Sequence, residues 1–334
     1  MQTGKMALIL IFVLVLLSAC APTPEPDRVT VQLKWVHQAH FAGFYAAQEM
    51  GFFQDENLAV ELIEGGPGID QIAAITSGNA DFAVVAPNVL FTEIEKGQDL
   101  KAIATIFQIS PTVFVSLADS GITRPQDFIG KRIAILGIPD FETEIHAMLD
   151  FLGIDWNTLI LKEHSYSTDL LTSGAVDVQG FYITSGLQRL LNNGYQANLI
   201  YPGDYGVHLN SDCIIAADST LQEKPDLTLR FLRALLRGYT YAIENEEEAL
   251  QIIMQFALES DADLQRAMWR ASIPLISTGN HPVGALNEKT WQAMHDMLLD
   301  QGYIHKPISL ERALDPSFME RIIAECWLLM LKTG

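Results

Sequence analysis

The sequence is poor in cysteine, with only Cys20, Cys213 and Cys326 among 334 residues, and poor in positive charge, with 21 Lys and Arg against 41 Asp and Glu. Two cysteines far apart in the mature chain do not make a disulfide framework, and the apolar surroundings of Cys213 and Cys326 point to buried free thiols. The formal charge of −20 comes without any Lys/Arg-rich stripe, which excludes a nucleic-acid surface because phosphates need cations to neutralise them. A Gly-x-Ser-x-Gly nucleophile elbow is absent, and Gly65-Gly66-Pro67-Gly68 lacks the Lys-Ser/Thr ending of a nucleotide P-loop. The uninterrupted apolar run at residues 7–17 falls short of the roughly 20 residues of a membrane span.

What that run does fit is an export signal. Lys5 supplies the positive flank, and Leu17-Ser18-Ala19-Cys20 follows at once as a lipobox. The expectation is a signal peptide at 1–19, lipid attachment at Cys20, and a tether at 20–28 whose prolines keep it extended. The mature protein would then be held at the cell membrane on its extracytoplasmic side, or on the periplasmic side if the host has an outer membrane.

From Val29 onward the pattern alternates strand and helix. Residues 29–33 and 60–63 read as strands, and residues 41–49 and 69–77 as helices, the first of them closed by Gly51. This order implies an α/β fold with largely parallel sheets. A short repeat, Thr76-Ser77-Gly78-Asn79-Ala80-Asp81 and Thr172-Ser173-Gly174-Ala175-Val176-Asp177, stops one helix in each half before a short strand. Two similar units are therefore expected: lobe one from 29–118 and 210–334, lobe two from 119–209. The crossings between them would lie near 112–118 and 206–212 and form a hinge. Residues 227–244, 246–258, 286–301 and 316–331 read as C-terminal helices.

Ligands enter parallel α/β sheets where strands give way to helices. The stretch from Lys34 to Ala47 occupies such a position and carries Trp35, Phe41, Phe44 and Tyr45 as flat surfaces, with His37, Gln38 and His40 as hydrogen-bonding groups. Gly66, Asn88 and Gln108 stand at comparable strand ends in the first unit, and Phe141, Glu142, Tyr166 and Tyr182 in the second. Such facing aromatics and amides suit a flat heterocycle. His37 and His40 lack further metal-type ligands nearby, so no metal site is expected.

Residues 35–47, Gly51-Phe52-Phe53, Glu64-Gly65-Gly66 and Ser77-Gly78-Asn79-Ala80-Asp81-Phe82 together resemble the substrate-binding proteins related to thiamine-pyrimidine synthases and sulfonate-binding proteins. The likeness runs over about residues 29–221 and fades in the C-terminal helices. It implies a two-lobed type II periplasmic-binding fold with an interlobe cleft, a permease with its ATPase as partners, and neither catalytic residues nor a cofactor. Residues 34–43 most resemble the riboflavin-binding subunits of RibXY-type importers, which makes riboflavin the implied transported ligand. A thiamine pyrimidine precursor of the hydroxymethyl- or formylaminopyrimidine type is the alternative. Eukaryotic enzymes of this family use bound pyridoxal phosphate and a cysteine-rich run with iron, and no such run occurs here. A ligand-sensing role would need a separate signalling partner.

Overall fold

The computed structural model describes residues 25–258 and 261–333, with the side chains of 326–333 excepted. The export signal and Cys20 lie outside the described residues, as does the Cys326 side chain. Ten strands are present in that range: β1 (Asp27–Gln32), β2 (Leu58–Ile63), β3 (Phe82–Val85), β4 (Leu100–Phe107), β5 (Thr112–Leu117), β6 (Arg132–Leu136), β7 (Ile160–Glu163), β8 (Val178–Tyr182), β9 (Ala197–Ile200) and β10 (Ser211–Ala217).

They form two five-stranded sheets, ordered β2-β1-β3-β10-β4 and β7-β6-β8-β5-β9. In the first, β2, β1 and β3 run parallel while β10 is antiparallel to both β3 and β4. In the second, β7, β6 and β8 run parallel while β5 is antiparallel to both β8 and β9. The two sheets are thus the same topology used twice, and β5 and β10 are equivalent strands, each inserted after the chain arrives from the other sheet.

This pairing moves the expected boundary. The sequence pattern assigns 29–118 to the first lobe, but Thr112–Leu117 pairs with β8 and β9 in the second sheet. The first crossing is therefore the short link between Phe107 and Thr112, and the second lies between Ile200 and Ser211. The apolar run of β5 marks it as a buried strand without saying which sheet it joins, because strand partners are non-local.

The repeated helix stop has a shared physical role. Gly78 and Gly174 take left-handed backbone at φ of 74° and 72°. Three residues later, Asp81 donates its N–H to the Thr30 carbonyl at 2.9 Å and accepts the Thr30 N–H on its carboxylate at 3.0 Å. Asp177 does the same to Arg132, at 2.8 Å for both bonds. Thr30 lies in β1 and Arg132 in β6, the corresponding strands of the two sheets. The repeat is a clamp that fixes the opening strand of each unit.

The C-terminal helices cover the first sheet. Phe231, in the helix Pro225–Glu244, stacks on Phe82 with centroids 4.2 Å apart. Trp291, in the helix Glu288–Asp300, donates its indole N–H to the Thr105 hydroxyl of β4 at 3.0 Å. Cys213 is a buried free thiol whose Sγ donates to the Val85 carbonyl at 3.3 Å. None of the described helices is long and apolar enough to cross a membrane.

Candidate functional site

A cleft of about 290 Å³ opens between the two sheets. Its walls are the segments that leave the carboxyl ends of the parallel strands: Lys34 and Trp35 after β1, Gly66 after β2, Ala86 and Val89 after β3. The second sheet answers with 137–141 after β6, His164 and Tyr166 after β7, and 184–186 after β8. This is where open α/β sheets bind ligands.

An ion network spans the cleft. Lys34 Nζ lies 3.2 Å from Asp140 of the second lobe and 3.0 Å from Asp212 at the start of β10. The Tyr182 hydroxyl donates to Asp140 at 2.6 Å, and Lys34 Nζ sits 5.2 Å above the Tyr182 ring. Both carboxylates are below a tenth exposed, at 9% and 8% of their side-chain areas. Burial alone would lower the lysine pKa, but Asp140 and Asp212 outweigh it and hold the ammonium well above its ordinary value. Burial and the neighbouring Asp140 likewise push the Tyr182 phenol well up. Asp212 has left-handed backbone at φ 33°, a region that costs most residues energy and that Asp tolerates better than most.

A second bridge involves Arg189, in the helix Gly186–Asn192. Its Nη2 donates to Gln38 Oε1 at 3.3 Å, and the Gln38 amide meets His40 Nδ1 at 2.9 Å. His40 is buried, which drives its pKa down to about 4 and keeps it neutral at pH 7. At the mouth, Trp35 and Tyr166 pack with centroids 4.5 Å apart. Phe141 lies against Tyr182 at 4.8 Å and against His164 at 5.2 Å. His164 Nε2 bonds the Gly180 carbonyl at 3.0 Å, while its Nδ1 is buried without a partner.

Of the residues singled out from the sequence, Trp35, Gln38, His40, Gly66, Phe141, Tyr166 and Tyr182 line this cleft. Five point elsewhere. Phe41 is buried against Phe44, and Tyr45 stacks on Phe256 with centroids 4.2 Å apart while its hydroxyl meets His37 Nδ1 at 2.9 Å. The Asn88 side chain accepts the Val89 N–H at 2.9 Å, and Gln108 donates to the Thr105 and Ala285 carbonyls at 2.8 and 3.0 Å. Glu142 accepts the Gly137 N–H at 2.7 Å. Each satisfies a local polar group or fills a core. His37 and His40 have separate partners, and no group of three or more metal-type ligands occurs among the described residues.

Lys34, Asp140, His164, Arg189 and Asp212 join the cleft beyond that set. Lys34 carried a signal, being a lone cation at the end of an apolar strand. Asp212 carried none, because it reaches Lys34 only through the second crossing.

A family model described as NMT1/THI5 like matches residues 38–249. Over 325 residues the chain is 25% identical to a formylaminopyrimidine-binding protein of Halalkalibacterium halodurans, covering 94% of this chain and 98% of that one. It is 22% identical over 316 residues to the riboflavin-binding protein RibY of Chloroflexus aurantiacus, covering 90% and 89%. The periplasmic aliphatic sulphonate binding protein SsuA of Escherichia coli superposes with a TM-score of 0.72 at 13% identity, over 88% of this chain and 94% of that one. The architecture is the type II periplasmic-binding fold.

Proposed function

This chain belongs to the NMT1/THI5-like family, and from that premise we propose that it is the extracytoplasmic solute-binding subunit of an ABC-type importer, which captures a flat, nitrogen-rich heterocycle between its two sheets. The observation that carries the reading is the cleft itself, whose polar and aromatic groups come from both lobes and converge on one space. The lipobox at Cys20 would hold the protein beside its permease. Some relatives carry the name of a pyrimidine phosphate synthase, such as one from Legionella pneumophila at 26% identity. A binding role is preferred because the cysteine-rich run of the eukaryotic enzymes has no counterpart in a sequence with three scattered cysteines.

The polar end of the cleft favours an aminopyrimidine of the thiamine-precursor type. Its amino and ring nitrogens would meet Asp140 and Asp212, which still have lone pairs free beside Lys34. A cleft of about 290 Å³ also lies at the small end of ligand pockets, which run from about 300 to 1,000 Å³. Riboflavin is the second reading, supported by the aromatic surfaces of Trp35, Phe141, Tyr166 and Tyr182.

Calorimetric titration of the mature protein with formylaminopyrimidine, hydroxymethylpyrimidine, riboflavin and thiamine tests this reading. Micromolar or tighter binding of one of them is expected; no heat with any of the four contradicts it.

A further inference from the structure

The protein holds 41 acidic residues against 21 basic ones, so an arginine finds a carboxylate easily. Arg132, Arg230, Arg233, Arg237, Arg266 and Arg312 all do. Arg189 lines the ligand cleft and has no carboxylate partner among the described residues. Its hydrogen bond, from Nη2 to Gln38 Oε1, is long at 3.3 Å, and its Nε is buried without a partner. Burial lowers the guanidinium pKa, the signature of a cation that has lost water without gaining an anion.

This placement is built. Gly186 opens the helix that carries Arg189, and a Cβ there would come within 2.4 Å of the Phe181 ring. A glycine at that point lets the first turn lie against β8, and the fourth residue of the helix then reaches the cleft. A desolvated, unpaired cation is costly, and it is relieved when an acceptor oxygen arrives with the ligand.

We infer that Arg189, steadied by Gln38, is a specificity-determining anchor for a carbonyl oxygen on the ligand, in the same cleft as the Asp140 and Asp212 carboxylates but paired with neither. The inference rests on the proposed heterocycle-binding function and narrows it. The ligand would carry N–H donors for the carboxylates and a carbonyl acceptor for the guanidinium. A neutral carbonyl fits better than a phosphate because the charged side chains of the lining already balance, Lys34 and Arg189 against Asp140 and Asp212, and the formal charge of −20 repels anions. A formylamino group or the carbonyl edge of an isoalloxazine meets this requirement; a hydroxymethyl group does not.

The test compares two pyrimidines that differ at this group, formylaminopyrimidine and hydroxymethylpyrimidine, on wild type, Arg189→Met and Arg189→Lys, with thermal melting to confirm folding. Wild type should prefer the carbonyl-bearing compound by about 10- to 100-fold, the range for a hydrogen bond to a charged group. In Arg189→Met the preference should fall to within about twofold, and Arg189→Lys, which keeps the charge and loses the planar fork, should lie between. Equal affinities in wild type, or a preference that survives unchanged in Arg189→Met, would overturn the anchor while leaving the heterocycle-binding function standing. Riboflavin serves as a control of the second ligand class, and its binding should also weaken by about 10- to 100-fold in Arg189→Met. If wild type binds neither pyrimidine nor riboflavin, the binding function itself is refuted and the anchor falls with it.

Discussion

Trp35 and Tyr166 meet across the mouth of the cleft, one from the segment after β1 of the first sheet and the other from the segment after the edge strand β7 of the second, with ring centroids 4.5 Å apart and planes at 47°. Tyr166 remains half exposed, so this contact is the outer seal of the site. Below it, Lys34 and Asp140 form the ionic bridge between lobes. The cleft is therefore closed at two depths by groups of different chemistry, an aromatic contact outside and an ion pair within.

Removing the seal should shorten the life of the complex more than it slows its formation, because most affinity differences within one interface arise in dissociation. Trp35→Ala is expected to weaken ligand binding by more than about tenfold, combining lost stacking with lost apolar burial. Stopped-flow fluorescence separates the two rates, and an unchanged dissociation rate would show that Trp35 does not cover the ligand.

Removing the inner bridge should cost stability. Lys34→Met leaves Asp140 and Asp212 facing each other with no cation between them, and breaking a buried pair from one side costs about 3–5 kcal/mol. The urea midpoint should fall, and adding Asp212→Asn should restore most of the loss. A single variant as stable as wild type would show that the network is neutral in the free protein.

Near the first crossing, Glu144 is buried and accepts hydrogen bonds from the Ser110 and Thr112 hydroxyls, the latter at 2.7 Å. Burial raises its pKa from 4.5 to about 8, outweighing those two bonds, so the folded protein holds a proton there that the unfolded chain releases near pH 4.5. The stabilisation is then fully present below pH 4.5 and is lost as pH rises through about 8. Glu144→Gln should remove this dependence, so the melting temperature of wild type should fall relative to the variant as pH rises between about 4.5 and 8, and level off above that. Parallel melting curves over that window would contradict a protonated Glu144.

The equivalence of the two units predicts matched effects. Asp81→Ala and Asp177→Ala each leave a strand N–H without its carboxylate and should each destabilise by about 1–3 kcal/mol, read from denaturant midpoints. A large loss in one and none in the other would show that the repeat has diverged in its mechanical role.

Much of this architecture is legible in the sequence. The helix stops at Gly78 and Gly174 and the doubled α/β unit follow from a six-residue repeat, and seven of the cleft residues follow from the rule that strand ends bind ligands. The misplacement of β5 arose because an apolar strand does not state its partner. Tyr45 and Phe41 carry the same aromatic signal as Trp35, yet they sit on the helix face turned toward the core, against Phe256 and Phe44. Asn88 and Gln108 are drawn off by nearby backbone groups, a competition that depends on the folded geometry and not on residue type. Arg189 and Asp212 come from distant parts of the chain and join the site through the fold alone.

The most direct measurement of the central claim is to purify the protein from its native cells without denaturation, then unfold it and weigh what is released by mass spectrometry. A carbonyl-bearing aminopyrimidine, or riboflavin, should be released in near-stoichiometric amount from wild type and be strongly depleted from a Trp35→Ala, Arg189→Met double variant. Release of no heterocycle, or of equal amounts from both proteins, would contradict heterocycle capture in this cleft.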